Sequence, residues 1–448
     1  MDSKNFYRSL FKIVAPIALQ NLITAAVNSA DVVMLSYVGQ TSLAASSLAG
    51  QVQFVLMLFF VGMSSGLIML TSQYWGKNDI KSIETLAGIA FKFSCTAGFV
   101  FFLAALIFPR GIMRIFTNKQ PMIEEGAKYL RLVSPSYFFL SISQVYQAVL
   151  KSIEKVKTVT AITFVALGLN ILLNAMFIFG LGSIPAMGIR GVALATSIAR
   201  FLEMCSCIII SLFLKQMHLR FSILFQKNKI LFRDFVKFSL PALGNEIVWG
   251  AAFAMYSVIL GHLGEEIVAT NSVVSVIRNL ASVLCFGMAY GGAILLGKEM
   301  GSGNLSGAKT DASHLWKSTI FAGLIGGLTI VFSYPIMIHI GHLSENSIRM
   351  LKWILLINGF SIFGASVNTV FICGIFRAGG DAKFGFYVDS IIMWAVSVPL
   401  GLICAFVLHL SPVIVYLILF LDEFEKMPLV IHHYRSGKWL MNITRDFE

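Results

Sequence analysis

The sequence is poor in charged residues. Asp, Glu, Lys and Arg make up only 12% of its 448 residues, about half the share in soluble globular domains. The hydrophobic content is 57% and the mean hydropathy is +0.81. A chain of this composition cannot surround an apolar core with a polar surface, which excludes a soluble globular protein. Apolar runs of roughly 20 residues, enough to cross a bilayer, recur along the whole length.

Cysteine is scarce as well, and no cleavable signal peptide is expected. The first apolar stretch is too long for a signal peptide, and no small-residue cleavage site follows it. The six cysteines all lie in apolar segments, which is typical of buried packing and not of a disulfide or metal framework. They are Cys95, Cys205, Cys207, Cys285, Cys373 and Cys404.

The hydrophobic pattern predicts an all-α membrane protein with twelve transmembrane helices. Each predicted helix is an apolar run bounded by short polar turns. The predicted spans are 12–38, 43–73, 81–108, 125–149, 156–180, 187–214, 233–261, 266–297, 308–340, 347–373, 384–408 and 411–434.

The second half of the sequence repeats the first with a constant shift of 225 residues. Pro16 recurs as Pro241, and Gly39 recurs as Gly264. Proline and glycine shape the backbone, so their register persists when other side chains change. Because six helices per half is an even number, the two lobes should be related by a pseudo-twofold axis along the membrane normal. Duplicated halves of this kind are typical of transporters.

This repeat gives the predicted domain organisation. A six-helix lobe at 1–214 is followed by a basic cytoplasmic linker at 215–232. A second six-helix lobe at 233–434 precedes a short cytoplasmic tail at 435–448.

The net charge of +12 follows membrane topology and does not indicate a nucleic-acid partner. Lys and Arg collect before the first span, in alternate turns and in the linker, so the positive-inside rule places both termini in the cytoplasm. Arg110, Arg114 and Lys119 conflict with this rule, because they lie in a loop predicted to be outside.

One acidic residue stands out in the first lobe. Asp31 lies eight residues before Gly39, roughly 12 Å from the outer turn. A carboxylate at this depth is costly and indicates function, and burial favours its protonated form. Asn170, Asn174 and Thr196 lie at a similar depth on two other helices. These four residues predict a site for H⁺ or Na⁺, while the alternative for the amides and Thr196 is hydrogen bonding between helices.

The second lobe has its own candidates for substrate binding or coupling. Glu246 follows the proline Pro241 by five residues, and Arg278 lies at a depth within roughly 6 Å of it. They predict either an ion pair or a Glu246 side chain that faces a cavity and attracts cationic substrates. Asp389, nearer the cytoplasm, is the third candidate.

Several stretches resemble the bacterial branches of the multidrug and toxic compound extrusion (MATE) family. They are Pro16 with 28–39, 170–174, 191–196, 241–246 and 376–381. The resemblance covers nearly the whole chain and implies twelve helices in two lobes that open alternately, with drug efflux driven by H⁺ or Na⁺. It assigns the first-lobe cation site to Asp31, Asn170, Asn174 and Thr196. It also implies the cytoplasmic membrane of a bacterium as the location.

The sequence departs from that family pattern at two places. Asn174 stands where the family has an acid, so Asp31 is the one carboxylate of the four. A single negative charge suits one proton and gives Na⁺ fewer hard ligands. The family's helix-seven glutamate lies about a turn further along, near Trp249, which leaves the coupling role of Glu246 open.

The resulting hypothesis is a cation-coupled antiporter that exports organic, cationic compounds and is not an enzyme. Asp31 would take up H⁺ or Na⁺ from outside, and a helix-one kink at Pro16 would respond. No cofactor is expected beyond this coupling ion, and the chain should act as a monomer in the lipid bilayer. The alternative is a lipid-linked oligosaccharide flippase, for which only Arg278 offers a basic residue in mid-membrane. A membrane enzyme or channel would need constellations that the sequence lacks.

Overall fold

Every regular element in the described parts of the chain is helical. The computed structural model describes residues 3–180, 185–213, 228–338 and 344–446. Helices satisfy all backbone hydrogen bonds within one segment, as an apolar chain in a bilayer requires. The predicted all-α membrane fold is thereby confirmed.

Seven helices form the first half of the described chain. Residues 214–227 lie outside the described residues and hold most of the predicted linker, and its last residues begin the next helix. The seven helices are α1 (Ser3–Ser36), α2 (Gln40–Gly76), α3 (Ile80–Ile107), α4 (Pro109–Phe116), α5 (Gln120–Ser152), α6 (Val156–Phe179) and α7 (Ile189–Phe213).

The second half of the described chain contains nine helices, some joined by π-helical turns. The turns Val370–Phe376, Ser390–Ser397 and Ile403–Val407 lengthen α12 and bridge or extend α13 and α14. The helices are α8 (Lys229–His262), α9 (Glu265–Gly301), α10 (Leu305–Phe332), α11 (Tyr334–Met337), α12 (Glu345–Thr369), α13 (Ala382–Asp389), α14 (Val398–Leu402), α15 (Pro412–Phe420) and α16 (Asp422–Ser436).

The helix boundaries preserve the sequence repeat. The two ends of α2 and of α9 differ by the same 225 residues, and so do the ends of α3 and α10. The caps repeat as well. Asp79 begins α3 by accepting a bond from the Ser82 amide, and Asn304 begins α10 by accepting one from the Gly307 amide, each at 3.0 Å. The duplication therefore extends to the local chemistry that starts each helix.

Some predicted helices were wrong in detail. Ten helices or continuous helical runs in the described chain are long and apolar enough to span a membrane. The other two predicted spans are α5, which is diluted by serine, glutamine and charged residues, and 411–434, which breaks at Leu421 into α15 and α16. The helix predicted over 308–340 ends at Phe332, because Pro335 lies in the first turn of a separate short helix, α11. Residues 339 and 340 of that prediction lie outside the described residues. The short helix α4, which begins at Pro109, was not predicted.

The chain forms two compact units. The N-terminal unit comprises Leu19–Thr71 and Asp79–Val236. The C-terminal unit comprises Met1–Ala18, Ser72–Asn78 and Lys237–Glu448. The start of α1 and the end of α2 therefore pack with the second half of the sequence. The change between units in α1 falls two residues after Pro16, which lies inside the helix.

Each unit has its own apolar core. In the N-terminal unit, α3, α5 and α7 pack around fully buried side chains such as Leu56, Leu130 and Val133. In the C-terminal unit, α9, α10 and α12 pack together, and the core includes Tyr256 and Tyr416. Tyr256 is the repeat equivalent of Asp31, so the same position is an aromatic core residue in one half and an acid in the other.

Two glycines allow α2 and α9 to cross closely in the C-terminal unit. A methyl group on Gly76 would collide with the carbonyl of Lys298. A methyl group on Gly301 would collide with the carbonyl of Gln73. Gly76 and Gly301 are repeat equivalents, and so are Gln73 and Lys298. Small residues let helix backbones approach in membranes, and here the duplication makes the contact reciprocal.

Candidate functional site

The four residues of the predicted cation site come together in the N-terminal unit. Asn174 Nδ2 donates to Asp31 Oδ1 at 2.6 Å and to Asn170 Oδ1 at 3.2 Å. Asn170 Nδ2 lies 3.5 Å from Thr196 Oγ1. Asn170 and Asn174 are buried and lie one turn apart on α6, while Asp31 and Thr196 come from α1 and α7. The spacing of the polar residues therefore predicted the geometry correctly, and their function stays a prediction.

A cavity of about 260 Å³ opens on this cluster. Asp31, Asn170 and Thr196 line it together with polar side chains of α2, including Ser46 and Gln53. Asn174 is fully buried, and its side-chain oxygen Oδ1 has no hydrogen-bond partner among the described groups. A buried, unpaired carbonyl oxygen beside a carboxylate is an acceptor that a cation or a proton donor can satisfy. The cavity therefore has the chemistry of a small cation site.

An ion pair lines the same cavity. Arg200 Nη1 lies 2.7 Å from Glu203 Oε2, and Gln147 Nε2 donates to Glu203 Oε1 at 2.7 Å. The Glu203 side chain is only 2% exposed. Because Arg200 balances Glu203, the formal charge of the cavity is set by Asp31.

The position of this pair in the cavity was missed, although the sequence contains the signal. Thr196, Arg200 and Glu203 follow at intervals of four and three residues on α7. Residues at this spacing share one helix face. The three side chains accordingly line one cavity.

A second polar cluster lies in the C-terminal unit, and its pairing differs from the predicted one. Glu246 Oε1 pairs with Arg377 Nη1 at 2.9 Å. The predicted ion pair of Glu246 with Arg278 is absent from the described ion pairs. The Arg278 guanidinium instead lies over the rings of Phe253 and Phe420, 5.8 and 5.2 Å from their centres. The ion-pair alternative was wrong because Arg377 falls in the turn between the predicted helices 347–373 and 384–408, whereas its side chain is 2% exposed.

The cluster continues from Arg377 to Asp389. Arg377 Nη2 donates to Asn245 Oδ1 at 2.7 Å, and Asn245 Nδ2 donates to Asp389 Oδ2 at 2.5 Å. Lys426 Nζ then lies 3.0 Å from Asp389 Oδ1 and 3.1 Å from Asp422 Oδ2. These groups form a continuous chain of ion pairs and hydrogen bonds. Asp389 is therefore held between an amide and an ammonium group.

A smaller cavity of about 70 Å³ adjoins this chain. Glu246, Asp389 and Lys426 line it, and so do Asn368 and Glu423. Asn368 Nδ2 donates to Glu423 Oε2 at 2.8 Å. Small-molecule sites usually measure about 300–1,000 Å³, so this cavity is too small for a drug-sized compound.

The sequence interpretation overlooked Lys426 and its acidic neighbours. Asp422 and Lys426 stand at i and i+4 on α16, the spacing at which opposite charges pair on a helix. Both side chains are 2% exposed. Three acids within four residues, Asp422, Glu423 and Glu425, next to an apolar run were the available signal. Among the described residues, no group of three His, Cys, Asp or Glu is placed to hold a metal ion.

Taken together, the repeated helical halves and the buried polar clusters define a multi-pass membrane transporter. A family model described as MatE matches residues 16–176 and 241–403. The two matches begin at Pro16 and Pro241, the prolines that the internal repeat relates. The chain belongs to the MATE family.

Curated relatives span nearly the same length. The chain is 26% identical over 446 residues to the uncharacterized transporter YisQ of Bacillus subtilis, covering 96% of this chain and 95% of YisQ. It is 23% identical over 434 residues to the probable multidrug resistance protein NorM of Thermotoga maritima, covering 96% and 93%.

Solved structures show the same fold. The MATE transporter VcmN of Vibrio cholerae matches with a TM-score of 0.86 at 15% identity, covering 98% of this chain and 99% of VcmN. A MATE protein in a bent conformation matches with a TM-score of 0.84 at 18% identity, covering 97% of each chain. These neighbours support the two-lobe, twelve-helix architecture.

Proposed function

We propose that this chain is a cation-coupled efflux antiporter for organic, cationic compounds, driven by H⁺ or Na⁺. The observation that carries the proposal is the contact of Asp31 with the buried amide of Asn174, beside Asn170 and Thr196. The partners of Asp31 in this contact are neutral, so its negative charge is available to a monovalent cation. Relatives named as multidrug resistance proteins support the export of drugs.

The proposed coupling step depends on the negative charge of Asp31. Cation uptake at Asp31 removes the one unbalanced charge of the cavity, and it drives transport if the two conformations bind the cation differently. Pro16 interrupts the hydrogen bonding of α1 between the start of that helix and Asp31. It is the place where α1 can bend in response. The proposed setting is a bacterial cytoplasmic membrane with both termini inside and the chain acting as a monomer.

The flippase alternative is less well supported by the described residues. A pyrophosphate headgroup needs unpaired basic side chains. Arg278 lies over two aromatic rings, and Arg377 and Lys426 are paired with carboxylates. The two buried bases described in the C-terminal unit, Arg377 and Lys426, are therefore already paired. Arg278, whose Nη1 has no hydrogen-bond partner among the described groups, is a single base where a pyrophosphate group needs several.

Ethidium transport in energised vesicles, with pH and Na⁺ gradients imposed separately, tests the proposal. One of the two gradients alone should drive export, and the effective gradient identifies the coupling ion. Asp31→Asn keeps the side-chain size but removes the charge, so coupled export should fall to background. Ser29→Ala is the matched control, because Ser29 is exposed on the same helix and its hydroxyl donates to the Ala25 carbonyl of its own turn. Unchanged export by Asp31→Asn, or no export by the parent under either gradient, would overturn the proposal.

A further inference from the structure

The short helix α4 packs against α5 within the N-terminal unit. It connects α3 to α5, so it lies on the same membrane face as the turn between α1 and α2. Met113 is fully buried, and a methyl group on Gly126 of α5 would collide with its side chain. Pro109 begins the helix with a preset φ angle. The exposed side chains of α4 are therefore displayed from a fixed backbone.

Those exposed side chains form two surfaces. Arg110 and Arg114 stand one turn apart on one side, and exposed Lys119 follows the helix. On the other side, Phe108, which directly precedes the helix, and Ile115 are apolar yet 66% and 78% exposed. A short helix with a basic side and a large apolar side is typical of helices that lie in the membrane interface.

The basic side is only partly neutralised by the protein. Arg110 Nη2 pairs with Glu124 Oε2 at 2.9 Å. Arg114 and Lys119 have no ion-pair partner among the described residues. Two exposed positive charges therefore remain close to an apolar surface.

The repeat shows that these charges are not required by the scaffold. The equivalent helix α11, Tyr334–Met337, also has a proline near its start. Its four residues carry no charge. The architecture forms a turn of helix at this position in both halves, and only the first half adds arginine and lysine.

We propose that α4 is an interfacial helix that binds the headgroup of an anionic phospholipid through Arg114 and Lys119. Phe108 and Ile115 insert beside the acyl chains, and Arg110 contributes while it remains paired with Glu124. Such a role also accounts for basic residues on the face where the positive-inside rule disfavours them. The lipid phosphate supplies the counter-charge that the protein lacks, and each basic side chain near an anionic surface strengthens binding by about fivefold.

Lipid-specific fluorescence quenching tests this proposal without any transport assay. Ile115→Trp places a reporter on the exposed apolar side of α4, and the quenching of the six native tryptophans is subtracted by measuring the parent protein alongside. The protein is reconstituted with brominated phosphatidylglycerol or brominated phosphatidylcholine in an unbrominated background. We expect both lipids to quench the fluorescence of the reporter, with an apparent preference for phosphatidylglycerol of at least about fivefold.

Adding Arg114→Gln and Lys119→Gln to the reporter variant should reduce that preference to about one. The matched control replaces Arg349 and Lys352, two exposed basic residues in the first turns of α12, by glutamine and should retain the preference. Equal quenching by the two lipids in the reporter variant would overturn the lipid-headgroup assignment. A reporter that neither lipid quenches would place α4 in water and overturn the proposal as a whole.

Discussion

Removing Arg200 should turn the N-terminal cavity into a stronger cation site. In the present structure, Arg200 neutralises Glu203, and both side chains line the cavity that contains Asp31. Arg200→Met keeps an unbranched side chain of similar reach but leaves the Glu203 carboxylate without a positive partner. The cavity would then hold two negative charges, which is closer to the hard-ligand environment that Na⁺ prefers.

The magnitude follows from the size of the cavity. A volume of 260 Å³ corresponds to roughly 8 Å across, and an added unit charge at that distance changes the energy of a bound cation by about 2 kcal/mol at an effective dielectric constant near 20. This energy corresponds to a change of about thirtyfold in the apparent affinity for the cation. Glu203→Gln should change the cation affinity in the opposite direction. It leaves the positive charge of Arg200 unbalanced and should weaken cation binding by a similar factor. The double variant Arg200→Met, Glu203→Gln should bind about as the parent does.

Calorimetric titration of the purified protein with NaCl at fixed pH measures these affinities. The cost of a buried, unpaired Glu203 is about 3–5 kcal/mol, so Arg200→Met should also unfold at a lower temperature. Added Na⁺ should recover part of that loss, because a ligand of the folded state stabilises it. If the two single variants shift affinity in the same direction, or if the double variant behaves like Arg200→Met, the charge argument is refuted.

Two further substitutions test the C-terminal unit. Lys426→Met leaves Asp389 and Asp422 buried without their ammonium partner and should lower the free energy of unfolding by about 3–5 kcal/mol. Adding Asp389→Asn should restore part of this stability in a thermal unfolding assay. A double variant no more stable than Lys426→Met would contradict the pairing. Gly301→Ala places a methyl group against the Gln73 carbonyl and should sharply reduce the yield of folded protein. The control Gly168→Ala, with open space around the added methyl group, should leave the yield unchanged. Equal yields of the two variants would show that the close crossing of α2 and α9 is not needed.

The helical architecture could be predicted because it depends on local features of the sequence. Apolar run length determines where helices span, and proline and glycine mark the positions that the repeat preserves. Asp31 was recognisable because a carboxylate deep in an apolar segment has few structural explanations. Asn170 and Asn174 were then placed beside it by helix rise alone, and their hydrogen bonds confirm the common depth.

The C-terminal pairing could not be predicted in the same way. Helix rise gives depth but not rotation, so Glu246 and Arg278 match in depth while their side chains point to different neighbours. Arg377 follows the π-helical turn Val370–Phe376, which widens the helix and changes the direction of the side chains after it. No local sequence signal marks such a turn. The tertiary packing decided which base meets Glu246.

The carboxylates of the two polar clusters have different kinds of partner. In the C-terminal unit, Glu246, Asp389 and Asp422 each contact an arginine or lysine that belongs to the chain itself. Glu423 bonds to the amide of Asn368 and shares its cavity with the ammonium group of Lys426. In the N-terminal unit, Asp31 hydrogen-bonds to a neutral amide, while the nearby arginine is already paired with Glu203. A tethered base cannot leave, so a carboxylate that it neutralises has little need of an exchangeable cation. We therefore expect the exchange of the coupling ion to be concentrated at Asp31, which is where the loss of a single charge should have its largest effect on export.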